Sequence, residues 1–207
     1  MDLKEIKRLQ NLRVLEEDLH LSGIRFIAGI DEVGKGCLAG PIISSSVILD
    51  IRKSYICEID DSKRLSEKQR NALFEIITRD CICWSVAGVS ALEIDKTDIL
   101  SANRVSMRKA IKKLKIKPEI VLSDNLIFEC DYKVLPITKG DRSSISIAAA
   151  SIVAKVIRDR IMYRFAKIYP DYGFDKNKGY GTAEHLKMLQ KYGPCKIHRV
   201  SFKGVLN

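Results

Sequence analysis

The residues with the plainest chemistry are four acids. Asp31 and Glu32 are adjacent and follow the apolar run Arg25-Phe26-Ile27-Ala28-Gly29-Ile30. Asp124 follows a second apolar run, and Asp141 follows Gly140 just ahead of a long helical pattern. Strand ends in an α/β sheet are where ligand sites form. Four carboxylates converging there repel one another unless cations lie between them, and hard oxygen ligands suit Mg²⁺ or Mn²⁺. Two such ions roughly 4 Å apart activate a water and stabilise the leaving oxygen of a phosphodiester. Each acid taken singly also fits a plainer role. An Asp after a strand is a common turn residue, and Asp141 near a helix start complements the helix dipole. Asp60-Asp61 and Asp95 to Asp98 lie in polar surroundings and read as loops or caps.

Gly29-Ile30-Asp31-Glu32-Val33-Gly34-Lys35 also fits the first seven positions of a phosphate-binding P-loop. The eighth position is Gly36, so the hydroxyl that would hold Mg²⁺ is missing. Two carboxylates would also lie inside a loop that must cradle phosphate. Gly40 and Pro41 follow where a helix should begin. The sequence therefore argues against a nucleotide-hydrolysing loop.

The elements that must position these acids are legible from periodicity. Leu9, Leu12, Leu15 and Leu19 mark a charged helix over 3–20. The run 25–30 reads as a strand buried on both faces, ending at Asp31, and 42–49 as a second strand. Ser66 and Gln69 form a capping box for a helix running to about Arg79. A strand over 81–89 and a helix over 99–115 follow. Residues 119–123 read as a strand leading into Asp124, and 133–137 as a short strand that Pro136 assigns to the sheet edge. The longest helix spans 145–168, and the last opens at Thr182 and closes before Gly193-Pro194. The expected architecture is one α/β domain over 1–207, with a helical C-terminal portion from about 145.

Composition narrows the setting. The chain has 207 residues, 46% hydrophobic and 30% charged, with a formal charge of +10. That length supports one well-buried core. The positive balance suits a polyanion. No stretch is long and apolar enough for a membrane span, and the charged N-terminus lacks a signal-peptide core. The six cysteines form no Cys-x-x-Cys pair and read as reduced, mostly buried thiols of a cytoplasmic protein. The lysines between 109 and 117 read as a solvated helix face. Lys196, His198, Arg199 and Lys203 form a second basic cluster, read as structural and backbone-contacting.

Asp31-Glu32-Val33-Gly34-Lys35-Gly36 followed by Leu38-Ala39-Gly40-Pro41 resembles the N-terminal signature of ribonuclease HII, the type 2 ribonuclease H. Further matching segments follow in family order: Asp61-Ser62-Lys63, Ser123-Asp124, Gly140-Asp141, the 147–155 run with Arg158-Asp159, Gly179-Tyr180-Gly181-Thr182, and His198-Arg199 with Ser201-Phe202. The resemblance implies a ribonuclease H-like mixed sheet flanked by helices. It implies endonucleolytic cleavage of RNA in RNA–DNA hybrids, including single ribonucleotides in duplex DNA, leaving 5′-phosphate and 3′-hydroxyl ends. It makes Asp31, Glu32, Asp124 and Asp141 the catalytic carboxylates, holding two Mn²⁺ or Mg²⁺ ions in the active complex. Gly34, Lys35 and Gly36 would approach the ribonucleotide 2′-hydroxyl through their backbone. Tyr180 would stack on the sugar at the RNA-to-DNA junction, and Lys63 would contact phosphate. A monomer acting away from membranes is expected.

Two positions depart from the family pattern. Lys35 stands where the family usually has Arg, keeping the charge but losing the planar fork. Asn125 stands where the family usually has Gly, and Asn tolerates left-handed backbone. A non-catalytic hybrid-binding protein, or a type 1 enzyme needing several consecutive ribonucleotides, are the alternatives.

Overall fold

The computed structural model describes residues 3–53 and 59–206, and only the backbone of residues 4–6. Five strands form one mixed sheet in the order β3-β2-β1-β4-β5. They are β1 (Ile27–Val33), β2 (Ile42–Ile48), β3 (Cys83–Val89), β4 (Ile120–Asp124) and β5 (Lys133–Ile137). β2 pairs antiparallel with both β1 and β3, while β4 pairs parallel with both β1 and β5. Pro136 lies on the edge strand β5, as expected of a residue with no amide proton to donate.

Helices cover both faces of the sheet. α6 (Ile145–Ile168) packs on one face with α3 (Glu67–Asp80), in a core that includes Val47, Phe74, Ile77, Ala149, Ile152 and Val153. α5 (Ile99–Lys112) covers the other, where Met107, Ala110 and Ile111 meet Ala28, Ile30 and Val121. The close fit of α6 explains Gly29: a side chain there would run into the main chain of Ser146 and Ile147. The far half of α6 carries a separate cluster in which Met162 packs with Tyr172, Phe174 and Leu189. This is the helical C-terminal portion, with α7 (Phe174–Asn177) and α8 (Ala183–Tyr192).

Side-chain caps set the helix starts. Ser66 and Gln69 make the expected reciprocal box on α3, Asp98 caps α5, Ser144 caps α6 and Thr182 caps α8. Four expectations are corrected. The helix over 3–20 is two helices, α1 (Leu3–Asn11) and α2 (Val14–Leu21). The chain turns at Leu12, whose carbonyl accepts the amide of Ile145 at the start of α6. β1 does not stop at Ile30 but runs through both acids to Val33. β3 begins at Cys83 rather than Cys81, whose amide instead closes α3 on the carbonyl of Ile77. Asp95, expected in a loop or cap, ends the short helix α4 (Ala91–Asp95).

Candidate active site

Sheet register brings the first three acids together. Ile30 pairs with Ser123 across the parallel β1–β4 ladder, so Asp31 and Asp124 are the next residues on neighbouring strands. Asp141 lies in a 3-10 turn, Gly140–Arg142, tied to β4 because the Gly140 amide donates to Asp124 Oδ1 at 2.7 Å. Asn125 holds the turn after β4 in left-handed geometry, with φ of 52°, as its replacement of glycine required.

Asp31 and Asp141 are buried, and Glu32 has a largely covered side chain. Burial first, then the charge of Glu32 and to a smaller extent that of Asp124, push Asp31 up to about 8, well above the usual carboxylate range. Ser151 of α6 hydrogen-bonds Asp31 and works against that rise. Two lysines face the acids. Lys63 Nζ is 2.7 Å from Asp141 Oδ2, and Lys35 Nζ is 3.4 Å from Glu32 Oε1. The bond to Asp141 raises the Lys63 pKa. Among the described residues, no three acid, histidine or cysteine side chains already converge on one ligating point. Asp124, Asp141 and Glu32 are turned instead to Gly140, Lys63 and Lys35.

The loop after β1 rests on two fully buried arginines. Arg158 of α6 donates to the carbonyls of Ala39, Pro41 and Lys178, and Arg199 to those of Gly40 and Lys35. Burial lowers the Arg199 pKa to about 10. Gly34 has φ of 93°, and a side chain there would strike Arg158, whereas one at Gly36 would meet nothing. The Lys35 carbonyl is drawn to Arg199 at 2.9 Å, and in a trans peptide the Gly36 amide then points the opposite way.

Tyr180 reaches this loop from the helical portion. The amides of Leu38 and Ala39 donate to the Gly179 carbonyl, and the Arg158 guanidinium lies 5.8 Å from the Tyr180 ring centre. Tyr180 is 41% exposed and so lies at the surface.

Sequence reasoning missed two features near the site. Asp61, read as a loop acid, is fully buried; it receives the Lys63 amide and Arg142 Nε and so frames Lys63. Asp60 pairs with Arg8 of α1. The C-terminal basic cluster also separates: Lys196 and Lys203 are exposed, while His198 and Arg199 are buried. Arg199 does contact backbone, that of this chain's own loop. The lysines of the 109–117 run are all exposed, but only Lys109 and Lys112 lie on a helix face: α5 ends at Lys112 rather than at 115, Lys113 caps it, and Lys115 and Lys117 follow it.

A mixed sheet bearing acids on adjacent parallel strand ends, with a long helix behind them, is the arrangement of ribonuclease H-like nucleases. The ribonuclease HII family model matches residues 28–205. The ribonuclease HII of Caldanaerobacter subterraneus is 49% identical over 200 residues, covering 96% of this chain and 83% of that protein. That of Bacillus subtilis is 44% identical over 195 residues, covering 94% and 76%. The structure of the PCNA:RNase HII complex from Archaeoglobus fulgidus superposes with a TM-score of 0.73 at 28% identity, covering 86% of this chain and 95% of that one. Bst-RNase HIII in complex with Mn²⁺ shares the fold, with a TM-score of 0.69 at 17% identity, covering 90% and 70%. The chain belongs to the ribonuclease HII family. It is a metal-dependent endoribonuclease that cuts the RNA strand of RNA–DNA hybrids, including ribonucleotides embedded in DNA.

Proposed function

We propose that Asp31, Glu32, Asp124 and Asp141 hold two divalent ions, Mg²⁺ or Mn²⁺, and that the Gly34-Lys35-Gly36 loop selects the ribonucleotide. The observation that carries this is Asp31, buried beside Glu32 and Asp124 with its ionisation opposed. A cation lifts that penalty, and an all-oxygen donor set fits a hard one. When bound, such ions activate the attacking water and stabilise the departing oxygen. Water adds to phosphorus and the bond to the 3′-oxygen breaks, giving 5′-phosphate and 3′-hydroxyl ends.

The rest of the work falls to the chain itself. The outward Gly36 amide is set to donate to the 2′-hydroxyl, the group that separates RNA from DNA. Lys35 serves as a point charge for phosphate. Lys63, anchored through Asp61, supplies a second. Tyr180 lies against the sugar where RNA gives way to DNA. These roles support cutting at one embedded ribonucleotide. Residues 1–207 act as one catalytic unit, since α6 spans both the sheet and the helical portion. The five described cysteines are free thiols, which suits the cytoplasm.

Asp31→Asn and Asp124→Asn test the assignment on a duplex carrying one ribonucleotide. Each should lower metal-dependent cleavage by roughly 10³-fold or more, since several kcal/mol of charge stabilisation are lost, while hybrid binding persists. Retained cleavage in either variant would sink the assignment.

A further inference from the structure

A buried histidine pair lies behind Tyr180, away from the acids. His185 on α8 and His198 in the C-terminal segment have their Nε2 atoms 3.0 Å apart. They are 0% and 3% exposed, packed against the rings of Tyr172 and Phe174. Both outer ring nitrogens are also engaged. The Cys195 amide donates to His198 Nδ1 at 2.9 Å, and His185 Nδ1 lies 2.8 Å from the Tyr180 carbonyl oxygen.

These partners allow one proton arrangement. A main-chain amide can only donate, so His198 Nδ1 is an acceptor and bears no proton. The neutral ring then carries its proton on Nε2 and donates to His185 Nε2. His185 is left with its proton on Nδ1, which donates to the Tyr180 carbonyl. The reverse order would set a lone pair against a carbonyl and an N–H against an N–H. Burial, which lowers the pKa of both rings, keeps them neutral.

We propose that His185 is a positioning residue for ribonucleotide selection: with His198 behind it, it fixes the Tyr180 carbonyl and hence the ring's place beside the Gly34–Gly36 loop. The same carbonyl accepts the Thr182 amide, and the Tyr180 amide donates to Asn177. The turn is thus fixed from both ends, and the relay ties it to the C-terminal segment that also supplies Arg199 to the loop. This rests on the reading that Tyr180 meets the sugar at the junction.

Two substitutions separate the relay from simple packing. His185→Asn sets an amide N–H near the Nδ1 position and keeps the donor to Tyr180. His185→Gln reaches the Nε2 position and keeps only the contact with His198. On a duplex with one ribonucleotide, His185→Gln should lower kcat/KM by about tenfold, the worth of one well-placed hydrogen bond, and His185→Asn should restore most of it. On a long RNA–DNA hybrid His185→Gln should lose far less. Equal losses by both variants on both substrates, at equal melting temperatures, would mean packing alone and overturn the proposal. Tyr180→Ala, assayed alongside, keeps the two claims apart. Undiminished cutting by it refutes the role of Tyr180. Loss there with none in His185→Gln refutes the relay's role. Nitrogen-15 NMR reads the relay without any assay, expecting a proton on His185 Nδ1 and on His198 Nε2 at neutral pH. The opposite tautomers, or a cationic ring, would overturn it.

Discussion

At the scale of single residues, Asp31 is a buried carboxylate whose ionisation works against the fold. Its pKa is raised from the ordinary carboxylate value of 3.8 to about 8. In that window the folded state binds the proton more tightly than the unfolded one. Stability is therefore greatest below the unfolded value and is lost as pH rises through about 8. Asp31→Asn removes the titration. Without metal, the melting temperature of that variant minus that of the parent should grow between pH 4 and pH 8, and calorimetry checks it. A flat difference would show that Asp31 carries no such penalty. The four acids were legible in the sequence because each follows an apolar run or a glycine turn. The burial of Asp61 and Arg158 was not, because nothing local announces burial of a charge. A fully buried arginine is legible only once the carbonyls it serves have been folded around it.

At the scale of elements, capping chemistry and hydrophobic period gave most helices and strands within a few residues. The misses have tertiary causes. α1 and α2 share one leucine repeat, yet the chain breaks because the Leu12 carbonyl is used by α6. Asp31 and Glu32 lie within β1 because β2 continues to pair with them, matching Ser45 and Ser44. The two glycines of the loop that follows differ in their surroundings, and two substitutions test whether they also differ in task. Gly34→Ala meets both left-handed backbone and Arg158, and should destabilise the fold by about 1–3 kcal/mol in denaturant melts. Gly36→Ala enters open space and should melt like the parent, yet cut single ribonucleotides poorly. Unimpaired cutting by Gly36→Ala would remove that glycine from the reading of ribose.

At the scale of the whole molecule, the formal charge of +10 indicated a polyanionic partner but not where it binds. Substrate binding should weaken steeply with salt, by a slope of roughly −0.9 in log K against log salt for each duplex phosphate neutralised. Titration of hybrid binding in KCl measures it, and a flat response would argue against a charge-led grip. The ion pair between Lys63 and Asp141 carries this charge into the cleft. On the proposed reading, a divalent ion at Asp141 has to compete with the Lys63 ammonium for that carboxylate. Measured affinity would then report the difference between two cations competing for one carboxylate. Lys63→Ala should bind Mn²⁺ more tightly in calorimetric titration while turning over more slowly; unchanged or weaker affinity would show that no exchange takes place. On that reading, metal binding at Asp141 would release the exposed Lys63 ammonium to meet a substrate phosphate.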